Sequence, residues 1–309
     1  MAGIAYLFPV QGAHAVGMGK AFYDAFSESK EIYKTANAVL GYDLAALCFE
    51  GPQEELTKTE RCQPALFVTS LAGYAAFRAR ARSHRPVGAA GLSLGELTAL
   101  AAAEALAFKD GIYLVQARAE AMAQCALQHP GAMLAVIGLS RDAIDDICQS
   151  CGAVVANVNA PDQLVLSGTA ASIDQAEPLA KAKGAKRAIR LEVSGAFHSP
   201  LMQPAVEEFR KALAKVRFAV PKFPIISNVT AQPVQSAEDI PQLLARQITS
   251  SVLWEPSMRH LIKGGATTFL EFPPARVLTG LLRRIDRAAK GLTLDAPADF
   301  EAVPALSPA

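Results

Sequence analysis

The sequence is poor in cysteine and has no long hydrophobic run. Its five cysteines in 309 residues are too few for a disulfide framework and suit a reducing compartment, so we expect a cytoplasmic protein. Cys148 and Cys151 form a lone C-x-x-C, which is weak evidence for zinc without a second pair or nearby histidines, and we expect no metal. No stretch reaches the ~18 uncharged apolar residues of a membrane helix. The short apolar segment at residues 4–10 lacks a basic leader and is predicted to be a buried strand rather than an export signal.

The sequence also has no excess of charge of either sign. The chain has 30 Lys and Arg against 29 Asp and Glu, which gives no preference for nucleic acid or for a membrane surface as a partner. Its length and its 51% hydrophobic content allow one large domain, or a large and a small one, each with its own core.

Strand and helix patterns alternate along the chain, which predicts an α/β fold with a mostly parallel sheet. Between residues 127 and 196 the order becomes β-α-β-β-α-β, typical of a ferredoxin-like unit. We therefore predict a large domain at residues 1–126 and 197–290, interrupted by a small domain at residues 127–196. Residues 291–309, rich in Ala and Pro without a clear period, are predicted to form a loose tail.

Residues 91–95 form a G-x-S-x-G motif centred on Ser93. The motif follows a strand pattern and opens a helix pattern, the setting in which such a serine is a nucleophile. The flanking glycines permit the sharp turn. The N–H of Leu94 lies at the helix N-terminus, where it can bind a developing oxyanion. The alternative is that Ser93 only caps the helix.

Together with this motif, four further stretches resemble the malonyl-CoA:acyl-carrier-protein transacylases of fatty acid synthesis and the acyltransferases of polyketide synthases. The similarity runs from about residue 5 to residue 287, and the stretches are residues 8–12 with 17–19, 91–96, 115–122 and 194–202. The resemblance implies an α/β-hydrolase-like core with a parallel sheet and an inserted ferredoxin-like small domain.

The same resemblance implies a set of catalytic groups. His198 matches the catalytic histidine and would form a dyad with Ser93. Gln247 would orient that histidine through its backbone carbonyl, in place of the acid of a triad. The backbone amides of Gln11 and Leu94 would form the oxyanion hole.

Four residues are implied in substrate binding. Arg118 matches the arginine that holds the free carboxylate of a malonyl group; without the resemblance, a surface arginine on an amphipathic helix would be expected. Phe197 would crowd out an α-methyl group, a discrimination of only ~1–3 kcal/mol. Asn159 would lie beside the acyl pocket, or else satisfy its own turn. Leu92 stands where the family usually has a histidine.

The implied reaction moves malonyl from malonyl-CoA to the phosphopantetheine thiol of an acyl carrier protein through an acyl-serine. The coenzyme A thioester is a substrate, no metal or redox cofactor is expected, and related free-standing enzymes suggest a monomer. Basic side chains expected to meet the acidic carrier, or else to be ordinary solvated charges, are Lys181, Lys183, Lys186, Arg187, Arg190, Arg283, Arg284 and Arg287.

Departures from the family motifs at Val10, Leu92 and Pro273 indicate a divergent member, and they favour a stand-alone polyketide acyltransferase. They also motivate an inactive carrier-binding scaffold as an alternative. A hydrolase that clears acyl groups from carriers is a second alternative, although such an enzyme should not need Arg118. A general esterase would leave the small domain and the loop of Gln11 unexplained.

Overall fold

A computed structural model describes residues 3–81, 84–193 and 195–303. Its strands are β1 Gly3–Phe8, β2 Gly88–Gly91, β3 Gly131–Ile137, β4 Val154–Ala160, β5 Gln163–Thr169, β6 Arg187–Arg190, β7 Ala266–Glu271 and β8 Lys290–Thr293. Its α-helices are α1 Lys20–Ala25, α2 Ser27–Leu40, α3 Leu44–Glu50, α4 Gln53–Thr57, α5 Thr59–Arg80, α6 Leu94–Ala102, α7 Phe108–Gln128, α8 Arg141–Cys151, α9 Ala170–Ala182, α10 Gln203–Leu213, α11 Asp239–Gln247, α12 Trp254–Lys263 and α13 Val277–Ile285. Short 3₁₀ helices lie at Pro200–Met202 and Pro297–Ala302.

The large domain is built on a parallel sheet with strand order β2-β1-β7-β8. Phe8, the last residue of β1, is level with Gly91, the last residue of β2. Because parallel strands end at the same edge, the loops after β1 and β2 meet there. The apolar pattern near residues 223–227 predicts a further strand, but the structure forms only single bridges there, among them a parallel pair between Ile225 and Ala89.

The small domain has an antiparallel sheet with order β4-β5-β3-β6, the ferredoxin-like arrangement. Side chains of β3 alternate between its two faces. Leu134 and Val136 belong to a separate apolar core that also contains residues of α8 and α9, whereas Met133 and Ala135 face a cleft toward the large domain. The predicted fold class is confirmed.

The first part of the chain has more helices than its sequence pattern predicts. Apolar residues spaced along residues 18–39 predict one helix, but the structure breaks it at Phe26, whose extended backbone separates α1 from α2. Helices α3 and α4 were not predicted, because each is too short for a helical period to stand out.

The prediction of a loose tail is wrong for residues 291–303. Strand β8 adds to the parallel sheet beside β7, and Leu294, Phe300 and Val303 are buried. The Phe300 ring stacks on the ring of Phe26 and packs at a tilt against that of Phe22. These few apolar side chains therefore hold a segment whose Ala and Pro content suggested disorder. Residues 304–309 lie outside the described part of the chain.

Within the described ranges, no helix combines the length and the apolar composition needed to cross a bilayer.

Candidate active site

Ser93 occupies a strained turn between β2 and α6, with φ of 55° and ψ of −105°. The two glycines of the motif are required by close packing. A Cβ on Gly91 would lie 1.9 Å from the carbonyl carbon of Gly95, and one on Gly95 would lie 2.3 Å from the carbonyl oxygen of Phe8. Strain of this kind persists only where the surroundings enforce it, and it is often found at functional sites.

The imidazole of His198 lies against the Ser93 hydroxyl. Its Nε2 is 2.8 Å from Ser93 Oγ, and its Nδ1 is 2.8 Å from the carbonyl oxygen of Gln247. A carbonyl oxygen only accepts, so Nδ1 carries the proton of the neutral ring and Nε2 is left to accept the serine proton. The predicted orientation of His198 by Gln247 is present in the geometry.

The guanidinium of Arg118 reaches the same hydroxyl from α7. Its Nη2 donates to Ser93 Oγ at 3.0 Å and to Gln247 Oε1 at 2.8 Å, while Nη1 donates to Gln63 Oε1 at 2.6 Å. The side chain is 1% exposed, and its Nε has no partner among the described residues. The reading of Arg118 as a surface arginine is therefore wrong. Gln63 was not predicted, and nothing in the sequence distinguishes it from other glutamines.

Below the serine, Asn228 holds the turn in place. Its Oδ1 accepts from the N–H of Ser93 at 2.6 Å, and its Nδ2 donates to the carbonyl of Gly91 at 2.7 Å. Asn228 is fully buried. The sequence analysis missed it, because it comes from the distant loop after the bridge at Ile225.

Glu96 closes the network from the first turn of α6. Its Oε2 accepts from Gln247 Nε2 at 2.5 Å and from the backbone N–H of Asn228 at 3.3 Å. Gln247 Nε2 also donates to the carbonyl oxygen of Ser93 at 3.0 Å. Glu96 was part of the recognised motif, but no role was predicted for it.

Burial dominates the electrostatics of these groups. Burial, and next the positive charge of Arg118, lower the pKa of His198 to about 4. Burial raises the pKa of Glu96 to about 7 and lowers that of Arg118 to about 10, a fall that the nearby Glu96 opposes. At neutral pH the imidazole is therefore an unprotonated base, and the arginine keeps its charge.

The serine, the histidine and the arginine open into a cleft of about 720 Å³ between the parallel sheet and the open face of the small-domain sheet. The remaining predicted site residues that line this cleft are Gln11, Leu92, Leu94, Asn159 and Phe197. Asn159 Oδ1 is buried without a protein partner in the described chain, which leaves an acceptor for a ligand. Leu92 is 4% exposed and belongs to an apolar cluster with Val252 and Trp254, so this wall is apolar.

The loop after β1 faces the elbow across the cleft. Leu94 is the first residue of α6, so its N–H has no acceptor within the helix. The side chain of Gln11 lies 3.4 Å from the hydroxyl of Thr59, and the N–H of Gly12 donates to His14 Nδ1 at 3.3 Å. An oxyanion hole formed by the Gln11 and Leu94 amides stays a prediction.

Known proteins are similar to this chain over nearly its whole length. Residues 5–295 match the model of the acyl transferase domain family. The chain belongs to this family. The acyltransferase is 42% identical to the malonyl CoA-acyl carrier protein transacylase of Bacillus subtilis, over 97% of this chain and 96% of that protein. It is 40% identical to PksC of the same organism, a polyketide biosynthesis malonyl CoA-acyl carrier protein transacylase, over 94% and 99% of the two chains.

Among solved structures, a malonyl-transacylase in complex with its type II polyketide acyl carrier protein superimposes on the acyltransferase with a TM-score of 0.93. The two are 36% identical, and the match covers 97% of this chain and 98% of that one. The resemblance drawn from the motifs is thereby confirmed.

Proposed function

We propose that this acyltransferase moves malonyl from malonyl-CoA to the phosphopantetheine thiol of an acyl carrier protein. The observation that carries the proposal is the contact between a buried cation and a reactive hydroxyl, at 3.0 Å between Arg118 Nη2 and Ser93 Oγ. A buried guanidinium is costly without a counter-charge. An acyl group that ends in a carboxylate supplies that charge at the place where its thioester meets the serine.

In the first half-reaction, Ser93 Oγ attacks the thioester carbonyl while His198 Nε2 takes the hydroxyl proton. The amides of Gln11 and Leu94 bind the oxyanion of the tetrahedral intermediate. The carbon–sulfur bond breaks, coenzyme A leaves as the thiol with the proton from His198, and malonyl remains as an ester on Ser93.

In the second half-reaction the carrier's thiol gives its proton to His198 and attacks the ester carbonyl. The ester bond breaks, the proton returns to Ser93 Oγ, and malonyl leaves on the carrier. Each step is balanced by these residues and the two thiols, so we propose that no metal or redox cofactor takes part. Acylation and release then alternate in a ping-pong scheme.

We also propose that the protein is a cytoplasmic monomer, since its cysteines are few and related free-standing enzymes suggest this state. The pathway served is a finer question. The identities of 42% and 40% to the two Bacillus subtilis transacylases are too similar to separate pathways. The polyketide role therefore stays a prediction from the departures at Val10, Leu92 and Pro273, and comparing transfer to a fatty-acid and a polyketide carrier tests it.

The basic residues predicted to meet the carrier fall into two groups. Lys181, Lys183, Arg190 and Arg284 form ion pairs with neighbouring carboxylates. Lys186, Arg187, Arg283 and Arg287 are exposed, and no ion pair to them occurs in the described part of the chain. We propose that the second group meets the acidic carrier, since its charge is not already neutralised.

One assay tests the proposed reaction. The protein is incubated with malonyl-, methylmalonyl- or acetyl-CoA and a holo carrier protein, and acyl-enzyme, acyl-carrier and free acid are measured. We expect malonyl-enzyme and malonyl-carrier to dominate. Free acid without acyl-carrier would establish the hydrolase instead, and no acyl-enzyme with any substrate would establish the scaffold.

A further inference from the structure

We propose that Glu96 is a positioning residue. Through the side-chain amide of Gln247 it orients the guanidinium of Arg118, and so determines the preference for an acyl group that ends in a carboxylate. This inference rests on the proposed function. It assigns to Glu96 a role in substrate selection rather than in the chemical step.

The orientation of the Gln247 amide follows from the groups on its two sides. A guanidinium has only donors. An ionised carboxylate, the form that Glu96 takes above its pKa of about 7, has only acceptors. Arg118 Nη2 lies 2.8 Å from Gln247 Oε1, and Glu96 Oε2 lies 2.5 Å from Gln247 Nε2. The Glu96 carboxylate therefore allows one orientation of the amide, the one in which oxygen faces the arginine. The Ser93 carbonyl, which accepts from the same Nε2 at the longer distance of 3.0 Å, favours the same orientation.

Acylation makes this support necessary. In the free enzyme Arg118 Nη2 is held by both Ser93 Oγ and Gln247 Oε1. In the acyl-enzyme, Ser93 Oγ is the ester oxygen bonded to the acyl carbon. An ester oxygen of this kind is a poorer hydrogen-bond acceptor than a hydroxyl. Gln247 Oε1 then remains as the protein acceptor of Nη2 while that guanidinium binds the malonyl carboxylate.

The histidine does not depend on Glu96 in the same way. His198 Nδ1 contacts the backbone carbonyl of Gln247, which is fixed at the end of α11 whatever the side chain does. The contact from Glu96 to the backbone of Asn228 is long, at 3.3 Å. The side chain of Asn228 itself forms the hydrogen bonds to the turn at Ser93. Loss of the Glu96 carboxylate should therefore disturb the arginine more than the dyad.

Glu96→Gln tests the proposal. The new amide can present either oxygen or nitrogen to Gln247, so the short contact of 2.5 Å is weakened and Gln247 Nε2 is held mainly by the Ser93 carbonyl at 3.0 Å. At pH 8, where Glu96 is ionised in the wild type, we expect kcat/KM for malonyl-CoA to fall about 10- to 100-fold, mainly through a higher KM, with little change for acetyl-CoA. Inactivation by phenylmethylsulfonyl fluoride, which reports Ser93 and His198 without any carboxylate, should stay within about threefold of wild type, the size of a sub-kcal/mol change.

Glu120→Gln is the matched control, since Glu120 is an exposed carboxylate on α7 that contacts Gln116, and it should leave every readout unchanged. If wild type forms malonyl-enzyme but Glu96→Gln keeps the malonyl-to-acetyl ratio, the inference fails and the proposed function stands. A parallel loss of malonyl loading and sulfonylation would show a general structural role and overturn it too. If wild type forms no malonyl-enzyme, the proposed function falls and takes the inference with it.

Should Glu96→Gln not fold, Glu96→Asp provides the second variant. It keeps the charge but withdraws the oxygens from Gln247, so the malonyl-to-acetyl ratio should again fall, and an unchanged ratio overturns the inference.

Discussion

The guanidinium of Arg118 donates to the hydroxyl oxygen of Ser93 at 3.0 Å. A cation in that position does two things at once. After burial, which is the larger cause, it lowers the pKa of His198 and so helps to keep the base unprotonated. In the proposed reaction it also places a positive charge beside the oxygen that receives the acyl group. In the proposed reaction, the residue that selects the substrate and the nucleophile are therefore joined by one hydrogen bond.

Replacing Arg118 with glutamine should separate these two effects. Loss of a buried charge-assisted contact to the substrate carboxylate costs about 2–5 kcal/mol, so kcat/KM for malonyl-CoA should fall on the order of 100-fold or more. Acetyl-CoA has no carboxylate to lose, so its kcat/KM should fall much less, by only the part of the loss that comes from the missing contact to Ser93. Steady-state kinetics with both thioesters measure the ratio, with Arg210→Gln, an exposed position on α10, as control. Equal losses for both thioesters would show that Arg118 serves the dyad alone.

Ser93→Ala should abolish acyl-enzyme formation. The hydroxyl is the only oxygen within hydrogen-bond distance of His198 Nε2 among the described side chains, so no other group can be activated by that base. Incubation with radioactive malonyl-CoA, acid quenching and intact-protein mass spectrometry measure the ester directly. Ser199→Ala, at a neighbouring hydroxyl that donates instead to the carbonyl of Ala196, should still be labelled. Persistent labelling of Ser93→Ala would overturn the nucleophile assignment.

How much of the site could be predicted depended on how local each feature is. The elbow at Ser93 is encoded within five residues, because the turn itself requires Gly91 and Gly95. Arg118 and His198 lie 25 and 105 residues away, and only a family resemblance could bring them to the serine. Alternating patterns likewise predicted the two sheets.

The supporting residues could not be predicted in this way. Asn228 reaches Gly91 across 137 residues, and Gln63 reaches Arg118 across 55. Neither stands in a motif, and buried amides have no periodic signature. The tail was mispredicted for a related reason, since Phe300 is buried by helices near the start of the chain rather than by its sequence neighbours.

Phe197→Ala should widen the acyl pocket. Phe197 is 6% exposed and lines the cleft beside His198. The family resemblance implies that its ring fills the space that an α-methyl group would need. Removing a clash of one methyl is worth ~1–3 kcal/mol, so the methylmalonyl-to-malonyl ratio of kcat/KM should rise roughly 5- to 100-fold. Competition between the two thioesters, read by mass of the acyl-carrier, measures this. Phe218→Ala, outside the cleft lining, is the control, and an unchanged ratio would remove Phe197 from substrate selection.

Transfer to the carrier should depend on salt and on the unpaired cations. Lys186→Gln with Arg187→Gln should lower kcat/KM for the carrier about three- to tenfold at low ionic strength, since each rim charge contributes modestly and acts mainly on association. Formation of malonyl-enzyme from malonyl-CoA should not change. The matched control is Lys181→Gln, because that charge is already paired with Glu177. A salt-insensitive wild-type rate would contradict electrostatic docking.

The buried carboxyl of Glu96 should leave a signature in the pH dependence of stability. Its pKa is raised from 4.5 to about 7 in the folded protein, so the folded state binds more protons than the unfolded state between these values. The stability that it contributes is therefore fully present below pH 4.5 and is lost as pH rises through 7. Each pKa unit corresponds to about 1.4 kcal/mol, which makes the whole effect about 3 kcal/mol at most.

His198 acts in the opposite sense, because its pKa is lowered from 6.5 to about 4. The stability that His198 contributes is present above pH 6.5 and is lost as pH falls toward 4. In the wild type, the pH dependences of stability from Glu96 and His198 therefore oppose each other. The difference in melting temperature between wild type and Glu96→Gln removes the contribution of His198, because both proteins contain that histidine. The wild-type advantage in melting temperature should thus shrink from pH 5 to pH 8 by several degrees, whereas the advantage over His198→Gln should grow over the same range. Parallel melting curves for wild type and Glu96→Gln would mean that the Glu96 carboxyl titrates as it does in the unfolded chain.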